Sequence, residues 1–296
     1  MRKRIIGIIL IGTSFLLASC ESRGEVKRDA NGKKVLSGYI TLSGAFALYP
    51  LAIQWADEFH RLHPDVDIDI SAGGAGKGIT DVLADQVDIA MVSRELKPQE
   101  KEKGALAYAV AKDAVVATIH ANNPVYREFL KTGLSQMQAK AIWEGKTKLN
   151  VYTRSDACGA AETWAAFLGK KQEDLKGTGV FGDPGVAETL QKDVNGIGFN
   201  NIGYAYNDKT HKPTKGIAII PIDVNGNGKL DEDEKFYDTL DELMDAIAQG
   251  KYPTPPARNL YLVTAGKPKN PVVVEFLKYV RTKGQSLNGP AGFVHI

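Results

Sequence analysis

Three stretches of small residues stand directly before helical patterns, and all three have the chemistry of an anion site. They are Ser43-Gly44-Ala45-Phe46, Ser71-Ala72-Gly73-Gly74-Ala75-Gly76-Lys77-Gly78 and Arg154-Ser155-Asp156-Ala157-Cys158-Gly159-Ala160. Such a turn exposes backbone N–H groups at a helix N-terminus, where free donors and the helix dipole favour negative charge. Glycine lets an anion approach the backbone, and Lys77, Arg94 and Arg154 can bring full positive charges. Any one such turn can be no more than a tight strand-to-helix connection. Three in one chain, one of them with an arginine, point to a ligand held in a cleft. The second is not a nucleotide P-loop, because Gly76-Lys77 is followed by Gly78 and not by Ser or Thr.

A second motif is more complete. Asp223-Val224-Asn225-Gly226-Asn227-Gly228-Lys229-Leu230-Asp231-Glu232-Asp233-Glu234 fits the calcium loop D-x-[DN]-x-[DN]-G-x5-E at every defined position. Asp223, Asn225 and Asn227 would supply side-chain oxygens, Lys229 its carbonyl, Asp231 a direct or water-mediated contact and Glu234 two oxygens. Gly216 to Ile222, just before it, reads as a strand, so the expectation is an EF-hand-like loop without the helix pair. Its calcium would be structural, since a sensor needs two helices that open. The plainer alternative is an acidic, Asn-Gly-rich surface turn.

Cys158 stands at a helix N-terminus near Arg154, where a thiolate is stabilised. A nucleophilic cysteine also needs a histidine, and those at 60, 63, 120, 211 and 295 offer no local partner. The simpler reading is a small residue in the place of a hydroxyl. His60 and His63 lie near a helix end without a third ligand close by, which suits solvated surface better than a metal.

The elements that must carry these turns alternate between strand and helix periods. Strands are expected at Tyr39 to Leu42, Val66 to Ile70, Asp88 to Val92, Val115 to Ile119, Asn150 to Thr153, Ile217 to Ile222 and Leu260 to Val263. Helices are expected at 46–62, 78–86, 135–143, 160–168, 186–192, 240–248 and 272–280. Repeated βα units imply an α/β fold whose sheet is mainly parallel.

The N-terminus adds a location. Met1-Arg2-Lys3-Arg4 is basic, Ile5 to Ala18 is apolar but too short for a stable span, and Leu17-Ala18-Ser19-Cys20 looks like a bacterial lipobox. Residues 1–19 would be a lipoprotein signal peptide, with Cys20 lipidated, although a plain secretory signal gives a similar pattern. The polar segment 20–35 reads as a tether. The remaining arithmetic mostly excludes. In 296 residues, 37 basic against 35 acidic side chains give +2, which offers no reason to propose nucleic acid. At 43% hydrophobic and 24% charged, collagenous, disordered and polytopic membrane classes are ruled out. Two cysteines are too few for a disulfide framework or a four-cysteine zinc site.

Together these motifs make the chain resemble the phosphate-binding proteins of bacterial ABC importers, the PstS-like branch of the bilobal solute-binding superfamily. The resemblance runs over nearly all of the mature chain. It rests on the small-residue turn before Trp55-Ala56-Asp57, the glycine loop followed by Val87-Asp88-Ile89-Ala90 and Ser93-Arg94, and Arg154-Ser155-Asp156 with Cys158-Gly159. Gly196-Ile197-Gly198 and Ala291-Gly292-Phe293-Val294 add to it. It implies a two-lobed, type II-like binding-protein fold, each lobe a mixed sheet flanked by helices. Lobe one would be 36–115 plus 258–296, and lobe two 116–257. It implies no enzyme, but a carrier that closes on a small oxyanion, most readily phosphate, and docks on an ABC permease in the inner membrane. The protein would face the periplasm or cell exterior on its lipid anchor.

The family's ligand set carries over in part. Where the family has Thr, this chain has Phe46; its loop Ser is Ala75; its Ser-Gly-Thr becomes Cys158-Gly159-Ala160; and Ser93 stands where well-known members have Asp. Arg154 and Asp156 are kept, and backbone donors at Ala45, Phe46, Ala75, Gly76, Gly159 and Ala160 survive any side-chain change. The lost hydroxyls leave a different small anion, or a non-transport sensor or scaffold, as alternatives.

Overall fold

Helical and alternating apolar periods set the elements of the computed structural model, which describes residues 24–28, 31–32 and 34–296. Strands β1 (Gly24–Arg28) and β2 (Lys34–Gly44) precede α1 (Tyr49–Leu62), β3 (Val66–Ala72), α2 (Ala75–Leu83), β4 (Ile89–Val92), α3 (Pro98–Glu102) and the long β5 (Ala105–His120). Then come α4 (Tyr126–Thr132), α5 (Gln136–Trp143), β6 (Asn150–Arg154), α6 (Gly159–Phe167), β7 (Thr178–Val180) and α7 (Gly182–Lys192). The chain finishes through β8 (Gly196–Asn201), α8 (Ile202–Ala205), β9 (Ile217–Ile219), α9 (Leu240–Ala248), β10 (Ala257–Ala265) and α10 (Pro271–Val280). Local chemistry explains several starts. Ser135 and Gln138 form a capping box on α5, as Thr239 and Glu242 do on α9. Asn270 accepts the Val272 N–H ahead of α10, with Pro271 at its first position.

The apolar interior falls into two clusters. One gathers Leu36 to Ala111 and Leu260 to Phe293, with Trp55 and Phe59 of α1 packed beside Phe276 and Tyr279 of α10. The other gathers Ala114 to Ala257 around Trp143, Trp164 and Phe199. Strands β5 and β10 pass between the two. Where they cross, Arg258 and Asp113 are register partners and pair through a guanidinium–carboxylate contact of 2.8 Å.

The strand order is β1-β2-β4-β10-β5-β8-β6-β7, with β3 on β2 and β9 on β5. Within each half, β2 lies parallel to β3 and β4, and β6 parallel to β7 and β8. Strands β5 and β10 run antiparallel to their neighbours. The sheet is therefore mixed and not mainly parallel. Two strands that carry the chain out and back must oppose the βα units they join.

The tether expected over 20–35 is corrected from Gly24 onward. Gly24–Arg28 pairs with Lys34–Gly38 as an antiparallel hairpin, because β2 offers a free edge that backbone alone can satisfy. Val26 on this strand stays half exposed, so no apolar period announced it. The signal segment 1–19 and Cys20 lie outside the described residues. Among the described residues, no helix is long and apolar enough to cross a membrane.

Candidate functional site

Parallel strands end on one edge, and ligands of α/β folds bind where strand C-termini meet helix N-termini. Here β2 ends at Gly44, ahead of Ala45 and Phe46; β3 leads into α2 at Ala75 and Gly76; β4 leads to Ser93 and Arg94. From the other half, β6 ends at Arg154, and α6 starts after Cys158 with Gly159 and Ala160. The two edges face each other, and all three predicted turns lie along the seam.

The halves touch directly there. The Gly76 N–H donates to Ala157 O at 3.1 Å, so one of the expected anion donors is taken by the opposite half. Gly159 sits so close to Ser93 that a Cβ would lie 2.3 Å from its carbonyl oxygen, which is why no larger residue fits. The Phe46 ring covers the Arg154 guanidinium at 5.5 Å, meets Phe181 edge-on, and packs on Gly182, whose φ of +71° suits glycine. Tyr204 donates its hydroxyl to Phe46 O. The Ala45 N–H bonds Met91 O, and the Ala45, Ala75, Cys158 and Ala160 side chains belong to the two apolar clusters.

Arg154 is the electrostatic centre, with a side chain 1% exposed. It meets Asp156 through two bonds of 2.8 and 2.6 Å and Asp183 through a third of 2.5 Å. Burial opposes its charge, but Asp183, Cys158 and Asp156 outweigh that and raise its pKa. Asp156 also accepts the Gly182 N–H, while Asp183 accepts both the N–H and the side-chain amide of Asn201. The charge expected to be free for a ligand is thus shared between two carboxylates. The other expected cations are paired too: Lys77 with Asp81, and Arg94 with Glu100 at 2.7 Å and Glu162 at 2.9 Å. Glu162 belongs to α6, so Arg94 and Lys97 bridge the halves through it.

Cys158 caps α6 by accepting the Ala161 N–H at 3.5 Å. Burial pushes its thiol up to about 12 despite Arg154, which removes the thiolate a nucleophile needs. Its place is a helix cap inside an apolar cluster.

The acidic loop wraps around its own backbone. Asp223 accepts from the N–H groups of Gly226, Asn227 and Gly228, and Glu234 from those of Val224, Asn225 and Asp231. The Asn225 and Asn227 amides donate to Asp231, and Asn227 accepts from the Lys229 N–H. Among the described residues, no group of three or more His, Cys, Asp or Glu side chains is disposed to hold a metal. Both asparagines thus turn their amide nitrogens to Asp231.

Sequence reasoning passed over Asp183, Glu162 and Phe181. The helix carrying Asp183 was expected to start at Val186; the start at Gly182-Asp183-Pro184 carries a proline and an acid in its first turn, a legible helix signal. Nothing local marks Glu162 as a partner of Arg94, which is 68 positions away in another half by the numbering of their contact.

Comparison with known proteins matches the fold. A family model described as a PBP superfamily domain matches residues 30–283. The phosphate-binding protein PstS of Bacillus subtilis is 27% identical over 227 residues, covering 71% of this chain and 74% of the relative. The structure of a putative phosphate ABC transporter substrate-binding protein with bound phosphate from Clostridium perfringens superposes with a TM-score of 0.71 at 21% identity, covering 88% of this chain and all of that one. The reduced OxyR regulatory domain from Pseudomonas aeruginosa shares the fold more distantly, at a TM-score of 0.52 and 9% identity, covering 82% and 96% of the two chains. With a match across most of its length, this two-halved α/β chain belongs to the PBP superfamily.

Proposed function

We propose that the chain is the solute-binding component of an ABC importer and captures a small oxyanion, with phosphate the first choice. The observation that carries this is the meeting of two helix N-termini, those of α2 and α6, at one seam beside a buried arginine. The relatives named for phosphate binding support the same reading. Residues 36–115 with 258–296 and residues 116–257 act as the two lobes, hinged on β5 and β10. Opening breaks the Gly76–Ala157 bond and the Glu162 bridges, and closure on the ligand precedes docking to an inner-membrane permease. Lipidation at Cys20 tethers the protein outside the cytoplasm. Calorimetry with phosphate, sulfate, arsenate, molybdate and small carboxylates tests the reading. Phosphate should bind, and absence of heat with every anion would overturn it.

One observation favours a second reading. Two carboxylates on Arg154 repel a dianion, which suits another anion of lower charge. The fold also occurs in the OxyR regulatory domain, so a sensor without transport is consistent with it. A permease and ATPase gene pair beside the gene would argue for transport.

We also infer that the loop Asp223 to Glu234 takes calcium as a structural ion. The match of six ligand positions and the burial of Asp223 and Glu234 support it.

A further inference from the structure

Asn201 stands at the N-terminus of α8, where an asparagine ordinarily caps its own helix, yet its side chain accepts nothing from α8. It is 3% exposed and spans two charges instead. Its Nδ2 donates to Asp183 Oδ2 at 2.7 Å, and its Oδ1 accepts from the Arg258 guanidinium. Between an acid and a cation, the amide satisfies both in only one orientation. Asp183 also accepts from Arg154, so a buried path runs from Arg258 through Asn201 and Asp183 to Arg154. It joins the crossover strands to the seam. Beside that closed seam a cavity of about 780 Å³ opens to solvent, with Arg154 on its wall.

Arg258 has two further partners: Asp113, its register partner on β5, and the Thr163 hydroxyl of α6 at 3.2 Å. Burial raises the Asp113 pKa, Arg258 opposes that, and the charge of Asp183 adds to it, so the two acids feel one field. Asp183 Oδ2 accepts from both Arg154 and the Asn201 amide. Withdrawing the amide leaves the charge of that oxygen on Arg154 alone, which makes the guanidinium less available to an anion.

We propose that Arg258 is a positioning residue of the anion site, acting on Arg154 through Asn201 and Asp183. It locks the Asn201 amide with its donor towards Asp183, which divides the acid's charge between two donors and keeps Arg154 available to a ligand. This rests on the solute-binding reading above and adds how the crossover strands set the affinity of the same site.

The test is a double-mutant cycle in anion affinity on the full chain. Phosphate, sulfate, arsenate, molybdate and acetate are titrated into the parent by calorimetry, and the tightest binder is kept as the probe. Arg258→Lys keeps a cation for Asp113 but loses the fork that also reaches Asn201. Asn201→Leu cuts the path at its middle and leaves the Arg258–Asp113 pair in place. Each should weaken the probe at least fivefold. The double variant should bind no more than twofold more weakly than the poorer single, because the path breaks only once. Thr163→Val removes the other contact of Arg258 with α6 and should bind within twofold of the parent. If Asn201→Leu lacks the parental far-UV circular dichroism, Asn201→Ser takes its place in the cycle. Three results overturn the proposal and leave the importer reading standing: single variants that bind as the parent does, losses that multiply in the double variant, or Thr163→Val as weak as Arg258→Lys. Each would mean that Arg258 only supports the fold. No binding of any of the five anions overturns both.

Discussion

Replacing Arg154 by methionine should destabilise the protein severely, and a second change at Asp183 should recover part of the loss. The guanidinium is 1% exposed and bonds two carboxylates, of which Asp183 is 0% and Asp156 5% exposed. Methionine keeps most of the volume but leaves both acids buried without their cation. Removing one partner of a buried pair costs about 3–5 kcal/mol. At about 2–4 °C per kcal/mol for a chain of this size, the melting temperature should fall by roughly 10 °C or more. Asp183→Asn in the same background keeps an acceptor for the Asn201 N–H while deleting one buried charge, so it should restore several degrees. Asp183→Asn alone tests the charge argument in binding. Without it the arginine and Asp156 balance, and relief of one unit charge at about 6–8 Å is about 2–3 kcal/mol at an effective dielectric constant near 20. Anion affinity should then rise by one to two orders of magnitude. Thermal unfolding followed by circular dichroism and calorimetry with phosphate read the two effects. Arg154→Met melting within a degree of the parent, or no recovery in the double variant, would refute the claim that Arg154 is the counter-charge to both acids.

Three further outcomes are expected from the same packing. Cys158 should resist thiol reagents at pH 8 and react only as denaturant opens α6; because its folded pKa is about 12, above the ordinary thiol value, the stability it contributes is complete below about pH 8.5 and is lost as pH rises towards 12. Rapid labelling of the native protein at pH 8 would contradict this. Glu162→Gln should weaken the bridges from Arg94 and Lys97 and expand the ligand-free molecule in small-angle scattering, and an unchanged radius of gyration would show that the bridges do not hold the halves together. Calcium at a hundred times its Kd should stabilise by about 2.7 kcal/mol, separating melting curves taken with calcium and with a chelator, and Glu234→Gln should bring them together; coincident curves in the parent would leave the loop as an acidic turn.

Amphipathic periods and turn chemistry are local, and so the elements they specify were legible. The helix over 240–248 and those near 46–62, 135–143 and 272–280 were expected from apolar spacing and appear with nearly those bounds. The three small-residue turns were legible for the same reason, since backbone donors at a helix start depend on a few adjacent residues. Strand β1 was not, because its partner edge lies across a turn and its own side chains bury little. Neither was β8, whose short Gly196-Ile197-Gly198 run carries no clear period until the neighbours on each side bury it. The largest gap concerns charge. Sequence showed Arg154 beside Asp156, two positions apart, but the second acid at 183 and the covering ring at 46 come from other elements. Whether an arginine is free to hold an anion depends on which carboxylates the chain folds against it, a long-range contact that no local pattern encodes. For the same reason, small residues at three helix starts indicated an anion cleft, while only the packing of one half on the other determined that the seam is closed and that the open space lies beside it.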